Sequence, residues 1–298
     1  MKILVLGAGG MLGHKIAMKL KSSFDVYTAT RQPFSQYAKF GIFDSDKHIE
    51  NLDVAQESDL LATLSQVQPQ VVINGVGVTT RKLAADQSHL VIRLNSLLPH
   101  VLLNWCRSNR ARLIHFSTDC VFSGKKGNYS EDDLTDARDL YGLSKILGEV
   151  KDSPGLTIRS SIIGRELFHK TELVEWILSQ RGGLAKGFSQ VYYSGVTTDY
   201  MAYLVEHILK YHKDLSGIHQ LASPRISKLE LLEMINQEFG LGIQIVPDGS
   251  YCSDKSLDGS RLAKILKDSE KPEWNSMVKE LAQENDLYER WEKDGLKG

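Results

Sequence analysis

Two hydrophobic rhythms alternate along the first half of this chain. Short unbroken apolar runs at Ile3-Leu4-Val5-Leu6, Val71-Val72-Ile73 and Leu113-Ile114-His115-Phe116 have the length of strands buried on both faces of a parallel sheet. Asp25–Thr30 and Leu156–Arg159 predict two more. Between them the period lengthens to that of a helix: Ile16, Ala17 and Leu20 share one side, and a second helix spans about residues 58–66 and closes at Pro69. A third is predicted over 86–108, from Leu90, Val91, Leu94, Leu97, Leu98, Val101, Leu102 and Trp105, with a bend or break at Pro99. Residues 32–50 are polar and carry Pro33 and Gly41, as expected of a loop or a weak short helix.

After about residue 160 the alternation loosens. Helices are expected at 172–180, 199–211 and 229–239, a short strand at 243–246, and a charged helical tail at 264–268 and 274–291. Repeats and Pro-rich linkers are lacking, so the second half reads as a smaller lobe packed on the first, with the chain crossing between them more than once.

The turn after the first strand is Gly7-Ala-Gly-Gly10-Met11-Leu12-Gly13, leading into a helix. That order brings backbone N–H groups to a pyrophosphate at a helix N-terminus, and it predicts dinucleotide binding. The fold class expected is therefore α/β: a Rossmann-type doubly wound parallel sheet over residues 1–160, with a smaller α/β substrate-binding lobe over 161–298, some segments of which return to the first domain. Arg31, ending the second strand where an acidic residue would select NAD, suits the extra phosphate of NADP; NADPH is the expected cofactor, with NADH as the alternative. Asp53, before Val54, reads either as an adenine contact or as a helix N-cap. Gly75 and Gly77 in Asn74–Thr80 allow backbone to pass close to a flat ring, or serve an ordinary strand-to-helix turn. Asn95, polar in an apolar helix, either satisfies core backbone or helps order the site.

Beyond the strand ending at Phe116 lies Ser117-Thr118-Asp119-Cys120-Val121-Phe122-Ser123-Gly124, and then Tyr141-Gly-Leu-Ser-Lys145. Tyr141 and Lys145 stand four apart, so on a helix they share a face. A free phenol titrates near 10, roughly, and a neighbouring ammonium is expected to lower that toward the working pH, which suits proton exchange at a carbonyl or carbinol oxygen. Thr118 can supply a second hydroxyl to the same oxygen.

Composition narrows the partners. With 36 basic and 37 acidic side chains nothing favours nucleic acid or a membrane surface, and no apolar run approaches the length of a span. Cys106, Cys120 and Cys252 are odd in number and widely spaced, which argues against a disulfide scaffold and a zinc site and fits a reducing compartment; no metal is expected. The N-terminal run is too short for a signal sequence, so a cytoplasmic location is expected.

The glycine loop, Ser117–Gly124, Tyr129-Ser-Glu131 and Tyr141–Lys145, in this order, resemble the extended short-chain dehydrogenase/reductase superfamily, and Ser117–Phe122 most resembles its dTDP-4-dehydrorhamnose reductase branch. The resemblance is strong over residues 1–165 and loose beyond. It implies that Gly7, Gly10, Met11, Leu12 and Gly13 line a diphosphate, Asp53 and Val54 an adenine, and Gly77, Val78 and Thr79 the rest of the cofactor. It further implies that Thr118 polarises the substrate oxygen, that Tyr141 is the acid-base group, and that Lys145 holds the nicotinamide ribose. Thr118, Asp119, Ile162 and Arg261 then fall on the substrate, with Arg165, Trp176, Lys186 and Arg225 as further candidates for its diphosphate and base. Departures from the branch lie on the substrate side: Cys120 in place of a tyrosine, Asn74-Gly-Val-Gly77 in place of alanines, no proline before Tyr141, and Ser160–Glu166 in place of a tryptophan-bearing stretch. The activity implied is reduction of a 4-keto group on a nucleotide-diphospho-deoxysugar, for polysaccharide precursors, by a possible homodimer. An epimerase and a non-catalytic, NADP-sensing regulatory subunit are the alternatives.

Overall fold

A computed structural model of the chain describes residues 1–79, 87–267 and 270–295; Thr80, Asp86 and Asp268, which fall in expected elements, lie outside the described residues. The strands are β1 (Lys2–Leu6), β2 (Asp25–Ala29), β3 (His48–Ile49), β4 (Val71–Asn74), β5 (Arg112–Ser117), β6 (Gly155–Arg159) and β7 (Ile162–Ile163), followed by β8 (Leu184–Phe188), β9 (Val191–Tyr193), β10 (Val196–Thr197), β11 (Gly217–Gln220), β12 (Ile226–Ser227), β13 (Gln244–Asp248) and β14 (Ser253–Asp254). The helices are α1 (Met11–Leu20), α2 (Glu57–Val67), α3 (Ser88–Val91), α4 (Leu98–Ser108), α5 (Leu140–Gly148) and α6 (Leu173–Ser179), then α7 (Thr198–Tyr211), α8 (Lys228–Glu238), α9 (Ser260–Ala263), α10 (Trp274–Gln283) and α11 (Asn285–Gly295).

Seven strands form one parallel sheet in the order β11-β6-β5-β4-β1-β2-β3. Alternate residues of β1 feed two cores. Ile3 and Val5 pack with Ile16 and Leu20 of α1 and with Leu204 and Ile208 of α7, whereas Leu4 and Leu6 pack with Leu60 and Leu64 of α2 and Leu98 and Leu102 of α4. Helices on both faces explain why these strands carry no polar alternation. The order reverses between β1 and β4, which opens a crevice at the carboxyl ends of the strands.

Three local expectations change. Residues 34–47 form three single 3₁₀ turns before β3. Between α3 and α4, Ile92–Leu97 winds as a π-helix, and Pro99 sits in the first turn of α4, where its missing N–H costs nothing. The helix expected at 264–268 lies earlier, at α9. In the second half, β8 pairs with β13, and β9 lies between β12 and β14. The segment α7–β11 returns to the main sheet, where β11 extends the edge beyond β6.

Candidate active site

At the crevice the glycine turn is shaped by contacts that only hydrogen allows. Gly7 adopts φ +72°, and a Cβ at Gly13 would lie 2.1 Å from the Gly7 carbonyl oxygen. Gly10 is the N-cap of α1 and brings no capping side chain, so the first N–H groups of the helix, at Met11 and Leu12, keep their bonding capacity for an anion. Gly7 also touches the turn after β4: a Cβ on it would come within 3.0 Å of the Gly75 backbone. These features fit a dinucleotide diphosphate. Arg31 is exposed at the end of β2. Asp53 accepts the Ala55 N–H at 3.0 Å in a turn before α2, whose N-cap is Gln56, so Asp53 does not cap that helix.

Asn95 ties the turn after β4 to helix α5. Its Oδ1 accepts the Val78 N–H at 2.9 Å, and its Nδ2 donates to the Val78 carbonyl at 2.9 Å and to Ser144 Oγ at 3.1 Å. The first reading of this residue therefore holds: it satisfies core backbone, at Val78. Thr79 reaches Glu172 at 3.4 Å.

Thr118 follows β5 and caps the turn Asp119–Val121 by accepting the Cys120 N–H at 3.1 Å. Helix α5 starts at its N-cap Asp139, which accepts the Gly142 N–H, and presents Tyr141 and Lys145 on the face toward β5. The Thr118 hydroxyl is the side-chain group that bears on the Tyr141 phenol and favours its ionised form. The phenol end of Tyr141 is enclosed although the ring keeps partial solvent contact. Burial holds its pKa above the ordinary tyrosine value, and the Cys120 thiol, Asp119 and Glu172 act in the same direction against the Thr118 hydroxyl. Lys145 is buried, and its Nζ donates to the Phe116 carbonyl at 2.7 Å. Desolvation brings Lys145 down to about 8, opposed by Glu149. The expected lowering of the phenol by this ammonium is thus outweighed in the protein alone, because burial dominates and the lysine is held by backbone.

Beneath the site Glu149 takes both Arg159 Nε and Nη2 at 2.7 Å and Ser117 Oγ at 2.7 Å, a buried bidentate pair that locks the end of α5 to β5 and β6. Asp119 is buried, accepting from Thr118 Oγ1 at 3.1 Å. Ile162 is half-buried in β7, paired beside Val196. Arg261 binds Asp132 at 2.7 Å and Glu131 at 3.7 Å. Arg165 belongs to a buried network with Glu175, Asn285 and Glu292, and Arg225 pairs with Asp254 over the Tyr192 ring. Three residues at the crevice gave no local signal in the sequence: Tyr37, whose hydroxyl occupies the space a Cβ on Gly9 would need, and Tyr193 and Lys255, which neighbour the Thr118–Cys120 turn. Among the described residues no cluster of three or more His, Cys, Asp or Glu is placed to hold a metal, and no helix is long and apolar enough to cross a membrane.

Residues 1–157 match the family model described as RmlD substrate binding domain. Over 255 residues the chain is 26% identical to the spore coat polysaccharide biosynthesis protein SpsK of Bacillus subtilis, covering 82% of each. The hypothetical dTDP-4-dehydrorhamnose reductase of Sulfolobus tokodaii superposes with a TM-score of 0.74 at 25% identity, over 90% of this chain and 95% of that one. The Bacillus anthracis dTDP-4-dehydrorhamnose reductase, solved in complex with NADP, has the same fold, with a TM-score of 0.77 at 17% identity over 95% and 99%. Further relatives named dTDP-4-dehydrorhamnose reductase match over about half of this chain and less than half of their own length.

Proposed function

The chain belongs to the RmlD substrate binding domain family, and from that premise we propose that it is an NADPH-dependent reductase of the 4-keto group of a nucleotide-diphospho-deoxysugar. The observation that carries the reading is the hydroxyl pair of Thr118 and Tyr141 at the carboxyl end of β5, with the buried Lys145 one turn along the same helix. In this reading both hydroxyls bind one carbonyl oxygen, Thr118 turning its proton from Asp119 to the substrate. Burial keeps Tyr141 protonated at neutral pH, the form a reduction needs, so the carbonyl oxygen takes its proton from Tyr141 as the carbon becomes a carbinol. Thr118 polarises the oxygen meanwhile. When bound, the reduced nicotinamide supplies the hydride.

In this reading Gly7, Gly10, Met11, Leu12 and Gly13 hold the diphosphate. Arg31 takes the ribose phosphate, Asp53 and Val54 the adenine, and Gly77, Val78 and Thr79 line the rest. Lys145 sits beside the nicotinamide ribose. Thr118, Asp119 and Ile162 face the sugar. Arg261 reaches the substrate's nucleotide only by leaving Asp132. A cytoplasmic homodimer completes the proposal. It is supported by the outer face of α5, where Leu140, Leu143 and Leu147 are exposed in one stripe beside Ile92 and Leu97. A regulatory subunit is less well supported, since Thr118, Tyr141 and Lys145 are all present; an epimerase would use the same residues but return the cofactor to its starting state, whereas a reductase releases it oxidised after each turnover.

The test is oxidation of NADPH, followed by absorbance, with dTDP-, UDP- and GDP-linked 4-keto-6-deoxysugars, using the Tyr141→Phe variant as the blank. Stoichiometric loss of signal that the variant lacks supports the reductase. Bound NADPH left untouched by every sugar would sink it.

A further inference from the structure

One buried group at this site has no use inside the protein. Tyr193, in β9, is 2% exposed, and among the described residues its hydroxyl has no hydrogen-bond partner. Its ring is otherwise well placed, packed against Trp274 at 5.6 Å between centroids and lying 4.2 Å from the Lys228 ammonium. The charged group that bears on the phenol is Asp119, the residue after Thr118. A buried, unpaired hydroxyl costs stability that phenylalanine would not, so a phenol here calls for a partner from outside.

A second donor arrives from the next strand. The backbone N–H of Lys255, just after β14, donates to the Tyr192 carbonyl at 3.0 Å. The same segment is fastened to the loop beyond Thr118, with Asp254 N–H on the Gly124 carbonyl at 2.7 Å and Tyr129 N–H on the Ser256 carbonyl at 2.9 Å. That fastening lays the Lys255 side chain against Gly124, its Cγ 3.1 Å from where a Cβ there would stand, with Cys120, Asp119 and Asp139 as its titratable neighbours. Asp119 is a charged neighbour of Tyr193 and Lys255 alike, so a ligand carboxylate would meet its repulsion. A neutral hydroxyl fits better, because it can accept from Tyr193 or Lys255 and donate to Asp119.

We propose that Tyr193, with Lys255 beside it, is the second lobe's contribution to the catalytic centre and reads a hydroxyl on the sugar carbon next to the one being reduced. The inference deepens the reductase reading and rests on it. A site built to hydrogen-bond a hydroxyl discriminates against the analogue that lacks it.

The experiment compares dTDP-4-keto-6-deoxyglucose with dTDP-4-keto-3,6-dideoxyglucose in the intact protein and its Tyr193→Phe variant. Turnover is measured with NADPH, and binding of each sugar nucleotide by calorimetry with NADP⁺ present. The variant is expected to lose about tenfold in kcat/KM and in affinity for the hydroxylated sugar, the size of one hydrogen bond to substrate, and nothing for the deoxy sugar. Its thermal midpoint should stay the same or rise, because the deleted hydroxyl has no protein partner. Lys255→Met should blunt the same preference and Lys255→Arg retain it. Equal losses on both sugars, or a lower midpoint for Tyr193→Phe, would overturn the inference, as would a wild-type protein that binds neither sugar. Binding without turnover would instead remove the reductase reading, and the ratio of affinities would still decide the role of Tyr193.

Discussion

Replacing Asn95 with leucine isolates the joint between the turn at Gly77–Thr79 and helix α5. The substitution keeps the branched heavy-atom skeleton and removes three hydrogen bonds, two to Val78 backbone and one to Ser144. At about 1 kcal/mol for each neutral bond the loss is about 3 kcal/mol, and leucine burial returns a part of it, leaving about 2 kcal/mol of destabilisation. Urea denaturation reads that number directly. Because Ser144 keeps its bond to the Tyr141 carbonyl at 2.7 Å, α5 should stay formed while the turn at Gly77–Thr79 loosens. The expected signature is therefore weaker NADPH binding with a smaller change in kcat. Asn95→Asp retains the acceptor for Val78 N–H but sets a buried carboxylate against the Val78 carbonyl, so it should destabilise by more than Asn95→Leu. A loss below about 0.5 kcal/mol for Asn95→Leu, the range of ordinary surface changes, with unaltered NADPH affinity, would refute the argument that this side chain joins the two elements.

Three further outcomes follow from the same geometry. Tyr141→Phe should lower kcat by about 10²–10⁴, the usual worth of a positioned general acid, with NADPH affinity intact; a variant retaining a tenth of the activity would assign the proton elsewhere. His14 is buried, its Nδ1 bonded to the Gly10 carbonyl at 2.8 Å and its Nε2 accepting from Tyr288 at 2.6 Å, and burial lowers it to about 3. The unfolded chain binds that proton near pH 6.5 and the folded one does not, so stability should fall as pH drops from about 6.5 toward 3, and denaturation of His14→Gln should lack this component of the slope. Leu147 is 63% exposed on the outer face of α5; a double Leu143→Glu, Leu147→Glu variant should sediment as a monomer where the parent is a dimer, and a monomeric parent would dismiss that interface.

What could be read in the linear chain were features that repeat at short range. Apolar runs of strand length, a glycine turn between strand and helix, and a tyrosine four residues before a lysine all state their geometry within a few positions, because backbone period and steric exclusion act locally. The sheet, α1 and the face shared by Tyr141 and Lys145 were legible for that reason. Tertiary structure alone decided the rest. The phenol's proton affinity depends on how deeply packing encloses it, not on its distance in sequence from an ammonium. Arg165 looked like a phosphate ligand, yet carboxylates from α6 and α11 enclose it. Tyr193 and Lys255 carry no motif; they are brought together, beside the loop that follows Thr118, because β14 pairs with β9 and is stitched to that loop at Gly124. Such long-range pairings are set by the burial of whole faces at once, a sum over the folded chain that no short window contains.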